Sequence, residues 1–153
     1  AEPEQRRVLM LSSLIFAESF LLCALDFRFG WSSVPAWLST VGCVVFLLAY
    51  AGFAELLREN EYLSRSVELQ AGQKVVSTGM YGIVRHPMYA VIIWLFLSMP
   101  LILGSYIGLI PLAFIPYVLV KRLLNEEKLL RGGLDGYDEY MQKVRYRLIP
   151  FVW

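Results

Sequence analysis

The feature that most constrains this chain is a stretch of 34 residues, 87–120, without a charged side chain. As one α-helix it would be about 51 Å long, whereas the hydrocarbon core of a bilayer is about 30 Å thick. The stretch must therefore fold back into a helical hairpin. Prolines and small residues mark the expected bend, and they are Pro100, Gly104, Ser105 and Gly108. We expect a kink at Pro111 or Pro116 in the second arm.

Two earlier apolar stretches, residues 8–25 and 35–56, are each long enough to cross a bilayer. No small-residue cleavage site follows the first, which favours a span over a cleaved signal peptide. With 58% hydrophobic residues and a mean hydropathy of +0.55, the chain is predicted to be an all-α polytopic integral membrane protein with about four spans. Small residues in the second span should let helices approach closely; they are Gly42, Cys43, Ala49, Ala51 and Gly52.

Three further residues lie inside the first two spans. Glu18 interrupts the first, where an ionisable group is costly, so we expect it to have a structural partner rather than a catalytic role. Cys23 and Cys43 lie within apolar segments and are predicted to be buried, inert thiols.

The basic residues give the orientation. In a four-span arrangement, the N-terminus, the 58–85 loop and the C-terminal tail hold 2, 4 and 7 Lys and Arg residues, and the opposite side holds Arg28 alone. The positive-inside rule therefore predicts that both termini and the long loop are cytoplasmic.

The chain is predicted to form a single membrane domain, 1–153. Residues 1–57 provide two spans, and residues 58–153 form a catalytic region with the hairpin, a surface loop and a tail. In the tail, "KRLLNEEKLL" continues the helical period until Gly132 and Gly133, and "YDEYMQKV" is typical of a short surface helix.

Two classes of function are excluded by composition. The net charge is +1, and no basic stretch is interleaved with base-stacking aromatic residues, so we predict no nucleic-acid binding. The chain has one histidine and no CxxC pair, so we predict no metal site.

Three polar clusters should converge on the cytoplasmic side. In "RHPMY", Pro87 suits the first helical position, which places His86 at the N-cap and Tyr89 about one turn inside, facing a common pocket. Such residues can also be plain interfacial anchors. Arg122 and Glu126, four apart on one helix face, are either an ordinary ion pair or a group that grips a carboxylate or phosphate. The third cluster is Tyr137, Tyr140, Arg145 and Arg147.

The motifs "GQKVVSTGMYGIVRHPMY", "NEEKLL" and "GYDEYMQKVRYRLIPFVW", in this order around an uncharged hairpin, resemble the prokaryotic branch of the isoprenylcysteine carboxyl methyltransferase family from about Asn60 to Trp153. The resemblance implies an enzyme of a prokaryotic cytoplasmic membrane that binds S-adenosyl-L-methionine on the cytoplasmic side. Arg122 falls on the family's substrate-binding and catalytic arginine, and Glu126 is both catalytic and cofactor-binding. The other implied cofactor positions are Gln73, Lys74, Val75, Val76, Tyr81, His86, Pro87, Met88 and Tyr89.

The resemblance implies methyl transfer to a membrane-embedded lipophilic acceptor, most simply a carboxylate such as isoprenylcysteine. A carboxylate is ionised at neutral pH and needs positioning rather than a strong base. Arg122 would orient it, Glu126 would bind the cofactor's ammonium or ribose, and Tyr81 could attract the sulfonium. Three alternatives stay open: an amine acceptor, with His86 or Glu127 as base; an NADPH-dependent sterol-type reductase; and a non-catalytic scaffold.

Overall fold

The computed structural model describes residues 2–63 and 68–153, with side chains from Arg6 onward. All regular structure in these ranges is helical. The helices are α1 (Glu2–Phe29), α2 (Ala36–Glu59), α3 (Pro87–Ile102), α4 (Leu109–Leu112), α5 (Ile115–Gly133) and α6 (Tyr137–Lys143), with a 3₁₀ turn at Gly79–Gly82. Part of the predicted surface loop, residues 64–67, lies outside the described residues.

The first two helices have the length and composition of membrane spans. Residues Arg6–Phe29 and Ala36–Glu59 each provide 24 apolar-rich residues, or about 36 Å of helix. Pro35 precedes α2 and ends the preceding loop in an extended conformation. The two predicted N-terminal spans are thus present as helices able to cross a bilayer.

The uncharged stretch 87–120 does fold back. After α3 the chain turns between Leu103 and Gly108, where the Ser105 N–H donates to the Pro100 carbonyl (2.9 Å). The return brings the Tyr89 hydroxyl within 2.6 Å of the Glu126 carboxylate. At 16 residues, α3 is about 24 Å long, so a four-span topology stays a prediction.

The second arm of the hairpin is interrupted between the two prolines at which we expected a kink. It consists of α4, which contains Pro111, and α5, which has Pro116 in its first turn. Proline lacks a backbone donor and is tolerated in a first turn, so a new helix starting at Ile115 accommodates Pro116. α5 ends at Gly133, as predicted.

α2 packs most extensively against α3. A Cβ added at Gly42 would lie 3.2 Å from Leu101 Cβ, and one at Gly52 would lie 3.5 Å from Val91. Ala49 is buried on the same face, so these three small residues do permit the close approach that we predicted. Cys43 and Ala51 face away and are exposed.

Two expectations about the spans are wrong. Cys43 is exposed, because its position on α2 points away from α3, whereas Cys23 is buried as predicted. Glu18 is exposed on α1, outside the packed interior, so the expected structural partner is not found among the described side chains.

One end of the helical bundle is closed by polar contacts; we call it the closed end and define it by Asp26, Ser32 and Ser105. The buried Asp26 carboxylate accepts hydrogen bonds from the Ser32 N–H and from the hydroxyls of Ser32 and Ser105. Nearby, the Ser19 hydroxyl donates to the Gly108 carbonyl (2.7 Å). These contacts tie the α1–α2 connection to the α3–α4 turn.

The hydrophobic core runs along the hairpin from the closed end toward the opposite end, which holds the site. Six buried side chains from α3, α4, α5 and the tail form the core, and they are Tyr89, Leu112, Ile115, Leu119, Leu123 and Leu148. Because Leu148 belongs to this cluster, the C-terminal tail is packed onto the hairpin. That packing places the tail over the residues described next.

Candidate functional site

A cleft opens at the end of the bundle away from the closed end, and we call this the cleft end. It encloses about 820 Å³, including its open mouth. The walls come from the loop that follows α2 (residues 60–63 and 68–76), the 3₁₀ turn, the start of α3, the second half of α5 and α6. Of the residues predicted for the site, these line it: Gln73, Lys74, Val75, Val76, Tyr81, His86, Met88, Tyr89, Arg122 and Glu126.

The start of α3 fixes three predicted residues. His86 is the N-cap residue and Pro87 takes the first helical position, as the sequence indicated. Pro87 is buried and is not part of the cleft lining. Tyr89 lies one turn inside, and its ring centroid is 5.9 Å from that of His86.

The membrane-proximal wall of the cleft carries Tyr89, Glu126 and Arg122. The Tyr89 hydroxyl donates to Glu126 Oε2 (2.6 Å), and the Arg122 guanidinium lies beside the same hydroxyl. This arrangement joins the two arms of the hairpin. It presents an anionic and a cationic group side by side in one cleft.

Glu127 faces the other way and is buried in an ion-pair network. Its Oε1 accepts from Arg85 Nε (2.7 Å) and lies 3.2 Å from His86 Nε2, and its Oε2 accepts from Arg147 Nε (2.9 Å). Burial alone would raise the pKa of this carboxyl, but hydrogen bonds from His86, Arg147 and Arg85 lower it to about 2. Glu127 is therefore a fixed anion that holds the tail, which the sequence did not reveal.

Arg85 connects the start of α3 to the tail. Its Nη1 donates to the carbonyls of Val144 and Arg145 (both 2.8 Å). Its backbone N–H donates to the Tyr146 carbonyl (2.8 Å). Arg85 is the first residue of the "RHPMY" motif, but the sequence did not predict this clamp, because it joins residues about 60 positions apart.

Tyr81 is held in the cleft wall by two neighbours. Asn60 Nδ2 donates to the Tyr81 hydroxyl (3.0 Å), and the Tyr140 hydroxyl donates to the Tyr81 carbonyl (2.6 Å). Burial raises the pKa of Tyr81 to about 12. Gly79 begins this turn with φ = +50°, a backbone conformation that favours glycine.

The third predicted cluster is divided by the structure. α6 places Tyr137 and Tyr140, three residues apart, on one buried face against the cleft. Arg147 joins Glu127, and Arg145 is exposed. Leu129, Leu130 and Leu134 also line the cleft. The four-residue spacing of Leu130 and Leu134 was the available sequence signal for them.

The residues of the cleft fit S-adenosylmethionine, the methyl donor that the resemblance implies. Among residues 2–63 and 68–153, no group of three or more His, Cys, Asp or Glu side chains is arranged to hold a metal ion. The cleft instead combines a carboxylate, tyrosine rings and an apolar wall. These groups suit a molecule that carries an ammonium, a sulfonium and a planar base.

Residues 40–132 match the model of the isoprenylcysteine carboxyl methyltransferase (ICMT) family. The match covers more than half of the chain, so the protein belongs to this family and is an integral membrane methyltransferase. It begins inside α2, earlier than the motifs that carry the resemblance, and it ends before the "GYDEY" segment.

Proposed function

We propose that this protein transfers a methyl group from S-adenosylmethionine to a lipophilic carboxylate held in the membrane, such as that of an isoprenylcysteine. The observation that carries the proposal is the grouping of Tyr89, Glu126 and Arg122 in one cleft at the end of apolar helices. Family membership supports the methyltransferase chemistry.

The cofactor's charged end would lie against Glu126. A carboxylate partly shielded from solvent attracts an ammonium strongly, and Tyr89 fixes the orientation of this one through a 2.6 Å hydrogen bond. The ring of Tyr81 offers a π-face to a sulfonium. The 73–76 segment, with the Gln73 side chain engaged by the Gln70 N–H (3.0 Å), would contribute backbone contacts. When bound, S-adenosylmethionine supplies an electrophilic methyl group.

Arg122 would orient the acceptor. It stands on α5 two residues past the end of the uncharged stretch, so it lies where a lipid-anchored carboxylate reaches the polar zone. A guanidinium can hold both oxygens of a carboxylate and direct one lone pair along a fixed line. Such positioning can supply much of the rate enhancement for an acceptor that is already ionised.

An amine acceptor that needs deprotonation has less support than a carboxylate acceptor. Of the two candidate bases, Glu127 has its pKa lowered to about 2 and is bound by three donors. His86 is buried, with 4% exposure, and its Nε2 contacts Glu127. Glu127 is therefore not free to take a proton from a substrate, which leaves His86, a residue of the cleft lining, as the candidate base for an amine acceptor.

Binding and transfer measurements on detergent-purified protein test the proposal. We expect saturable binding of S-adenosylmethionine without NADPH binding, and transfer of tritiated methyl to a farnesylcysteine analogue. Binding of NADPH alone would support the reductase alternative. Absence of binding by either molecule would support the scaffold.

The role of Arg122 is tested by Arg122→Lys. The charge stays but the planar fork is lost, so turnover should fall at least tenfold while affinity for S-adenosylmethionine changes less than threefold. Equal losses in turnover and affinity would argue against a substrate role.

Orientation in the cytoplasmic membrane can be tested by cysteine labelling in a Cys43→Ser background. Ser105 is too buried for this purpose, at 1% exposure, whereas Tyr106 is 40% exposed in the same turn. An impermeant maleimide should label Tyr106→Cys from the non-cytoplasmic side and the exposed Lys128→Cys from the cytoplasmic side. Labelling of both from one side would refute the proposed topology.

A further inference from the structure

The two ends of the cleft differ in chemistry. Toward the membrane lie Tyr89, Arg122 and Glu126. Toward the tail, the wall is mostly apolar and is formed by Val75, Leu129, Leu130 and Leu134 together with the Tyr137 ring. The charged residue there is Arg85, whose guanidinium is paired with Glu127. From Arg122 to Leu130 the wall extends about 12 Å along the axis of α5, which suits one elongated ligand with a charged end and an apolar end.

The apolar end contains one polar group that the protein leaves unused. Tyr137 is 4% exposed, and within the described part of the chain its hydroxyl oxygen has no hydrogen-bond partner. The neighbouring Tyr140 hydroxyl, by contrast, donates to the Tyr81 carbonyl (2.6 Å). An unpaired buried hydroxyl costs free energy. We therefore expect the Tyr137 hydroxyl to hydrogen-bond a ligand.

We propose that this end of the cleft receives the nucleobase of the methyl donor and that the Tyr137 hydroxyl hydrogen-bonds an edge atom of that base. The inference rests on the proposed function and assigns a position to one part of its cofactor. Flat apolar walls suit a planar heteroaromatic ring, and a hydroxyl can donate to a ring nitrogen or accept from an exocyclic amine. The charged methionine portion then lies toward Glu126.

Tyr137→Phe removes the hydroxyl and keeps the ring. Two probes separate the ends of the cleft: S-adenosylhomocysteine, and 5′-methylthioadenosine, which has the same nucleoside without the ammonium and carboxylate. Isothermal titration should show that the variant binds both probes about three- to tenfold more weakly, the loss expected for one neutral hydrogen bond. Tyr117→Phe, an exposed tyrosine outside the cleft, is the matched control and should bind both probes like the wild type.

Analogues altered at the base edge separate a ligand contact from a structural role. Deaza and N6-methyl derivatives of S-adenosylhomocysteine each remove or block one edge atom. One of them should bind the wild type more weakly, and Tyr137→Phe should add no further loss for that analogue. The inference is overturned if Tyr137→Phe leaves methylthioadenosine affinity unchanged, or if it weakens every analogue by the same factor.

Two outcomes keep this test separate from that of the proposed function. If the wild type binds neither adenosine probe, both proposals fail. If it binds both and transfers methyl groups while Tyr137→Phe is indistinguishable from it, only the assignment of Tyr137 fails. If Tyr137→Phe does not fold, the affinities of the wild type for the base-edge analogues test the inference. Equal affinity of the wild type for all of these analogues would overturn it.

Discussion

The closed end and the cleft end each bury a carboxylate among several donors, yet only the cleft end has the features of a binding site. At the closed end, Asp26 is 2% exposed and its oxygens accept from Ser32 and Ser105. At the cleft end, Glu127 is equally enclosed by its three donors. Beside Glu127, however, a cleft holds a second carboxylate, Glu126, and a hydroxyl without a partner, on Tyr137.

The comparison teaches that a buried charge does not by itself identify a site. Buried polar groups are nearly always satisfied, so a fully paired carboxylate indicates structure. The informative combination is a cavity together with hydrogen-bonding capacity that the fold does not use. We therefore assign Asp26 and Glu127 to stability, and the proposed function assigns Glu126 to the ligand. Four predictions follow this division, from the largest effect to the smallest.

Glu127→Gln should be the most damaging change. Removing the negative charge leaves Arg85 and Arg147 facing a neutral partner at the centre of the network, and breaking a buried ion pair costs about 3–5 kcal/mol. Thermal unfolding in detergent measures the loss. Glu55→Gln, which removes an exposed ion pair with Arg58, is the control and should cost less than about 1 kcal/mol. Equal effects of the two changes would show that the network is not structural.

Acidification should weaken the same network. Because the pKa of Glu127 is lowered from 4.5 to about 2, its contribution is fully present above about pH 5 and is lost as pH falls toward 2. The shift corresponds to about 3 kcal/mol. Unfolding free energies of the wild type and of Glu127→Gln should converge over this pH range. A difference that stays constant from pH 6 to pH 2.5 would contradict the assignment.

Glu126→Gln should show that the two adjacent carboxylates, Glu126 and Glu127, have different roles. The glutamine can still accept from Tyr89, so the free energy of unfolding should change by less than about 1 kcal/mol. Affinity for S-adenosylmethionine should fall about 10- to 100-fold, because a charge-assisted hydrogen bond is lost. Isothermal titration measures this, with the exposed Glu139→Gln as control. A large loss of stability with unchanged affinity would make Glu126 a structural residue like Glu127.

Asp26→Asn should have the smallest effect and should be confined to stability. The asparagine keeps one acceptor oxygen for the two serines, so we expect a loss of about 1–2 kcal/mol. Affinity for S-adenosylmethionine should not change, because the closed end lies at the other end of the helices. Denaturant unfolding and ligand titration on the same preparation decide this. Weakened cofactor binding at unchanged stability would mean that the two ends are coupled.

Much of the local structure could be predicted because it depends on neighbours along the chain. Pro87 predicted the start of α3 and the capping position of His86, and Gly132 and Gly133 predicted the end of α5. Exposure was predicted less well. Cys43 and Glu18 lie in apolar segments but face outward, since the sequence of one span does not say which of its sides its neighbours cover.

The sequence by itself determined that the chain folds back after Pro87, because its uncharged stretch is longer than a bilayer core is thick. It also determined that the polar residues gather beyond the two ends of that stretch. Only the tertiary structure decided which of Glu126 and Glu127 meets the cleft. Successive residues on a helix point about 100° apart, and their surroundings depend on how α5 sits against α3 and on the tail that Arg85 and Arg147 hold in place.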